Sequence, residues 1–221
     1  MKKLVGVMVI VLCVAMGASV AFATTSTIDI STGVGLTTAG EEDANWTVGG
    51  GFYSDWSERT TVAAAQLLTS SAANWYSSWE ANSSSSAWIG VTADNTGNGY
   101  LYSYQISFDL SDYDLSTVSI SGKWAVDDAG VLMVNGRAIA YLDSAYSLQS
   151  FSLAVGSAYL NEGINTITIL MTSTDNYLEG ARLEGEVSGT LKTSVVPVPG
   201  AVWLFGSGLI SLIGLRRKRN A

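Results

Sequence analysis

The residues of this chain that could do chemistry are carboxylates and indoles. Histidine is absent, and the one cysteine, Cys13, sits in an apolar stretch near the start. A serine–histidine triad, a cysteine–histidine pair and an ordinary zinc site are therefore excluded by composition. Carboxylate chemistry and binding remain. Asp127 and Asp128 suit a turn, and with neighbouring carbonyl oxygens they are the candidate ligands for calcium, which prefers several oxygens. The run Asp94-Asn95-Thr96-Gly97-Asn98-Gly99 approaches a calcium loop, but Gln105 stands where the full spacing requires glutamate. Two carboxylates can also serve glycoside hydrolysis. With nineteen acids in the chain, some such pair is inevitable and the sequence singles none out. No cofactor is expected, calcium being the one candidate.

The indoles offer a different use. A flat ring held on a loop can stack on a sugar, because it is apolar on its face and polar at its tip. Trp46, Trp56, Trp75, Trp79 and Trp88 stand in Gly-, Ser- and Asn-rich surroundings. Trp56, Trp75 and Trp79, which fall outside the clearest strands, are the candidate glycan contacts. Trp124 is in phase with Val118 and Ile120 and reads as core.

Alternating segments must position these groups. Tyr100–Leu110 places Tyr102, Tyr104, Ile106, Phe108 and Leu110 on one face, and Thr117–Val126 places Val118, Ile120, Trp124 and Val126 likewise. Asp127–Gly130 forms a turn. Val131–Val134 and Arg137–Leu142 flank Asn135-Gly136, a strong hairpin signal because both residues tolerate positive φ. Ser150–Val155 alternates, Ile164–Met171 is rich in β-branched residues, and Leu178–Gly189 alternates again. The last sets Ala181, Leu183 and Val187 against Arg182, Glu184 and Glu186. Thr61–Ala73 reads equally as a short helix or as strand and loop. Many short strands without a long helical period give an all-β fold, a single antiparallel β-sandwich or jelly roll.

Both ends read as targeting segments. Lys2 and Lys3 precede an apolar run from Leu4 to Val20, and Ala21-Phe22-Ala23 presents small residues for signal peptidase, so residues 1–23 are expected to be a cleaved signal peptide. At the other end Pro197-Val198-Pro199-Gly200 leads into an apolar run from Ala201 to Leu215, closed by Arg216, Arg217, Lys218 and Arg219. As a helix that run reaches about 22 Å, and about 27 Å if begun at Val198, marginal for a bilayer core. The basic cluster is expected to face the cytoplasm, placing the remainder outside. Between these ends five basic residues, Arg59, Lys123, Arg137, Arg182 and Lys192, face all nineteen acids, a net charge of −14 (five against nineteen). Such a surface repels nucleic acid, and it suits solubility or divalent cations.

The order of proline break, apolar run and basic end resembles the PEP-CTERM sorting signal of Gram-negative bacteria, with Val198 where that family usually has glutamate. The resemblance implies recognition by an exosortase, a membrane-embedded transpeptidase. It also implies transient residence in the inner membrane through the C-terminal helix, then delivery to the cell surface or extracellular matrix, as in a biofilm. Within the middle, Trp88-Ile89, Gly99-Tyr100-Leu101-Tyr102, Phe108-Asp109-Leu110, Gly122-Lys123-Trp124-Ala125-Val126-Asp127-Asp128, Asn135-Gly136, Gly163–Ile167 and Gly180–Glu184 follow one another in the order of a domain that resembles a galactose-binding-like β-sandwich. That fold hosts sugar binders and structural modules alike.

The expected organisation is thus a signal peptide (1–23), an exported β-sandwich (24–194) and a sorting tail (195–221). The expected role is structural or adhesive and non-enzymatic, with carbohydrate binding as its mechanism and extracellular polysaccharide as partner. A secreted glycan-active enzyme and a plain type I membrane anchor are the alternatives.

Overall fold

The computed structural model describes residues 23–51, 62–68, 78–93, 101–142, 147–173 and 179–192. The expected signal helix, the sorting tail with Pro197–Gly200 and Arg216–Arg219, Ala21, Trp56, Trp75 and the Asp94–Gly99 run lie outside the described residues.

Alternation of small or polar with bulky residues gives strands, and every helix or strand among the described residues is a strand. None of those residues forms a helix long and apolar enough to cross a membrane. The strands are β1 (Thr25–Asp29), β2 (Glu42–Gly51), β3 (Ala63–Leu67), β4 (Ile89–Gly90), β5 (Leu101–Asp109), β6 (Tyr113–Asp127), β7 (Ala129–Val134), β8 (Arg137–Leu142), β9 (Gln149–Leu153), β10 (Ile164–Thr172) and β11 (Gly180–Leu191). Of the ambiguous segment 61–73, the described part, 62–68, contains β3, whose Ala65 and Leu67 face the core.

Hydrogen bonding runs along one antiparallel path, β8-β7-β10-β5-β2-β3-β4-β11-β6-β9, with β1 laid beside β11. Within the compact unit Thr24–Lys192 this sheet folds over on itself as a near-closed sandwich. Its two arms share one core. From one arm come Tyr102, Tyr104, Ile106 and Phe108 of β5 with Ile167, Ile169 and Met171 of β10; from the other come Val118, Ile120, Trp124 and Val126 of β6 with Leu183 and Val187 of β11. The register sets Ile106 opposite Ile167, Tyr104 opposite Ile169 and Tyr102 opposite Met171. Burying such rows at about 25 cal/mol per Å² of apolar surface is the main force holding the arms together.

Two local devices fix the register. Asn135 and Gly136 both have positive φ, 49° and 74°, so the β7–β8 hairpin turns as its sequence predicts. Asn135 then ties this turn to β10: Thr166 N–H donates to its Oδ1 (2.9 Å), while its Nδ2 donates to Tyr159 O and to Asn165 Oδ1 (both 2.7 Å). Asn165 is fully buried. Its Nδ2 donates to Asn161 O and Gly163 O, and its Oδ1 accepts from Asn161 N–H, each at 2.8 Å. The second device is the pair Gly122 and Gly185, which oppose each other between β6 and β11. A Cβ on Gly122 would lie 2.3 Å from Glu184 O, 2.7 Å from Gly185 Cα and 2.9 Å from the Phe151 ring, so only glycine lets these strands and that ring meet.

A polar groove beside the buried arginine of β11

Alternation along β11 turns Ala181 and Leu183 inward, so Arg182 and Glu184 belong to the opposite face. An arginine there ordinarily extends into water. Arg182 is instead 1% exposed, because the segment Glu80–Ser86 arches over it. Nε donates to Ser86 Oγ (2.8 Å), Nη1 to Ala81 O (2.6 Å) and Glu80 O (3.3 Å), and Nη2 to Ser83 Oγ (3.2 Å). Burial lowers the pKa of the guanidinium from its usual value, and the nearby Glu80 and Glu184 oppose that fall; an arginine nonetheless keeps its proton.

The arch has its own reasons to fold this way. Ser83 Oγ accepts the N–H groups of Ser85 and Ser86 (both 3.2 Å), a serine turn in which the side chain replaces a backbone acceptor. Asn82 accepts from Trp88 N–H (2.9 Å) and donates to Leu68 O (3.3 Å). Trp88 Nε1 donates to Glu80 O (2.9 Å), and its ring stacks on Trp79 with centroids 4.3 Å apart. These indoles form a second small core with Leu68 and Ala125.

On the other flank, residues 30–32 extend the line of β1 along β11. Ile30 N–H donates to Gly185 O (3.0 Å) and Thr32 N–H to Leu183 O (2.9 Å). Ser31 Oγ accepts from Gly185 N–H (3.1 Å), and Asp29 Oδ1 accepts from Ser31 N–H (2.9 Å). Between this edge and the arch lies an open groove of about 530 Å³. One wall is Thr27, Asp29, Ser31 and Val34; the other is Ser84 and Ser85; Glu184, Gly185 and Glu186 form the floor. Glu184 Oε2 accepts from Ser86 Oγ at 3.2 Å and lies 4.0 Å from Arg182 Nη2. The groove thus presents hydroxyls and carboxylates from fixed backbone, an arrangement suited to hydrogen-bonding a polyhydroxylated ligand.

Of the residues singled out from sequence, those among the described residues lie elsewhere. Trp79 is 4% exposed; its face is stacked on Trp88 and its Nε1 donates to Asp127 Oδ2 (2.9 Å), so it serves the small core. Trp46, Trp88 and Trp124 are also buried. Asp127 and Asp128 are half-buried at the junction of β6 and β7. Among the described residues no group of three Asp, Glu, Cys or His is placed to hold a metal ion. At the same end of the sandwich Glu179 is buried beside Tyr104, whose pKa is raised well above the usual phenol value, by burial first and by Glu179 second. The groove residues carry no joint signal in the sequence, because three stretches far apart supply them. The one available signal was that Arg182 is a rare cation in an acidic middle.

No protein-family model and no curated protein sequence matches the chain. Solved structures similar to it include an FMN-binding beta-glucuronidase from Facaelibacterium prausnitzii L2-6, 15% identical, covering 76% of this chain and 23% of that one at a TM-score of 0.40. A putative beta-galactosidase from Bacteroides fragilis is 11% identical, covering 76% and 23% at a TM-score of 0.41. The chain therefore spans about a quarter of the length of these glycosidases. The CBM36-1 domain of a multidomain xylanase from the hindgut metagenome of Trinervitermes trinervoides is 10% identical, covering 78% of this chain and 100% of that one at a TM-score of 0.31.

Proposed function

We propose that this chain is an exported, non-enzymatic protein of the cell surface or extracellular matrix, whose Thr24–Lys192 unit binds carbohydrate in the groove between β1, the 80–86 arch and β11. The observation that carries the reading is the groove itself: open, lined by hydroxyls and carboxylates beside the exposed Val34 side chain, and built on hydrogen-bonded backbone. Sugar hydroxyls both donate and accept, and such a lining meets both needs. Export and sorting rest on residues 1–23 and on Pro197–Gly200 with the basic end Arg216–Arg219. Signal peptidase and an exosortase-type enzyme are the processing partners.

The experiment is titration of the purified chain with xylohexaose (neutral), a glucosamine hexamer (cationic) and polygalacturonate (anionic), with and without calcium chloride, while products are followed by chromatography. Saturable binding without product supports the reading. Product release would make the chain an enzyme, and absence of binding to every probe would leave a scaffold. A calcium requirement would restore Asp127 and Asp128 as ligand candidates. Sorting is tested by fractionation and mass spectrometry of the C-terminus. An intact tail confined to the inner membrane overturns that part and leaves a plain anchor.

A further inference from the structure

The geometry points to Arg182 as the residue that positions the sugar-binding groove, an inference that rests on the carbohydrate reading above. Its guanidinium reaches Ser86, Ser83, Ala81 and Glu80 at once, so one side chain of β11 holds the arch along its length. Ser84 and Ser85, the groove wall, lie between the two serines it binds. The same network reaches the groove floor, because Ser86 Oγ accepts from Arg182 Nε and donates to Glu184 Oε2. Arg182 is buried and does not line the groove; it acts through the arch and through Glu184.

Lysine cannot replace it. A guanidinium spreads its donors over a rigid plane, whereas an ammonium gathers three donors on one atom and cannot span Ser86 on one side and the Ala81 carbonyl on the other. In Arg182→Lys the charge stays and the hold on the arch is lost.

The test uses the purified full chain with xylohexaose and the glucosamine hexamer as probes. Two readouts are taken: amide exchange by mass spectrometry over residues 80–86, and affinity by calorimetry. Arg182→Lys is expected to speed exchange in the arch at least tenfold and to weaken whichever sugar the wild type binds at least tenfold, with exchange in β5 and β10 unchanged. Asn165→Ala, which removes stability at a residue that lines neither the groove nor the arch, is expected to leave affinity within twofold, separating positioning from general destabilisation. Should Arg182→Lys not fold, Ser86→Ala, which deletes only the hydroxyl shared with Glu184, is expected to weaken binding severalfold. Unchanged arch exchange, or a loosened arch with unchanged affinity, would overturn the inference. A wild type that binds neither sugar would overturn the groove as their binding site and the positioning role with it, whereas the carbohydrate reading itself falls only if polygalacturonate also fails to bind. A wild type that binds while the variants bind equally well overturns only the role of Arg182.

Discussion

Replacing Asn165 by alanine tests a fully buried amide that ties β10 to its turn and to Asn135. The side chain makes four hydrogen bonds, to Asn161 O, Gly163 O, Asn161 N–H and Asn135 Nδ2, at 2.7–2.8 Å. At about 1 kcal/mol net each, deletion costs about 4 kcal/mol. Some of that returns: Asn161 is exposed and Gly163 partly so, so water can reach the freed loop groups, and Asn135 keeps its bonds to Tyr159 O and Thr166 N–H. The expected loss is therefore about 2–4 kcal/mol, a large share of the roughly 5–15 kcal/mol of a typical domain. Urea unfolding followed by the fluorescence of the buried tryptophans measures it. With a slope of about 2 kcal/mol per molar, the midpoint should fall by about 1–2 M without a change in slope. Asn161→Ala is the control, since Asn161 contributes to this network only through its backbone. A midpoint shift in Asn165→Ala no larger than in Asn161→Ala would refute the reasoning. Coupling to Asn135→Gly, which keeps the positive φ, should be at least about 0.5 kcal/mol in a double-mutant cycle.

Three further outcomes follow from the same geometry. Gly122→Ala must push β6 from β11, since its Cβ would stand 2.3 Å from Glu184 O, and a loss of about 3 kcal/mol or more is expected in thermal melts; a wild-type melting temperature would contradict the close approach. Asp109 and Asp114 have pKa values lowered from 3.8, first by the hydroxyls and then by the amides of Ser111 and Ser116, and Glu162 is lowered from 4.5 by Lys192. Folded values below unfolded ones contribute stability present above about pH 4.5 and lost as pH falls through the lowered values. The melting temperature should thus drop below about pH 4, and the drop should be shallower in Ser111→Ala and Ser116→Ala. Finally, the groove acids Asp29, Glu184 and Glu186 repel anionic sugars, so polygalacturonate should bind more weakly than xylohexaose at low salt, with the difference narrowing at 0.5 M sodium chloride; stronger uronate binding would place the site elsewhere.

Much of the fold was legible where a strand carries its own alternation. The rows Tyr102–Phe108 and Val118–Val126 announced β5 and β6 because bulky side chains had to share a face, and the β-branched residues of Ile164–Met171 announced β10. β1, β2 and β4 gave no such signal: β2 hides its buried Trp46 and Val48 among Gly, Asn and Thr, and β4 is two residues long. Asn135-Gly136 revealed its hairpin through local φ preference. The groove depends on contacts such as Arg182 to Ser86, spanning 96 residues, and no local periodicity encodes those. Alternation correctly put Arg182 opposite the main core, yet its burial followed from an arch that only tertiary packing supplies. Trp79 went the same way, its loop-like sequence drawn into a core by Trp88.

Where the chain begins and leaves the sheet also governs how the unit bears load. Leu191 N–H donates to Thr24 O and Lys192 N–H to Asp112 O, so the start and the exit of the unit meet at one end of β11. From there β11 runs twelve residues, about 40 Å, paired with β6 from Tyr113 to Asp127 and flanked by β1. A pull on Lys192 along that axis loads the β6 and β1 ladders in shear, many hydrogen bonds at once, rather than peeling them one by one. A load entering at Lys192 is thus shared between two ladders before it reaches the Gly180 end of β11.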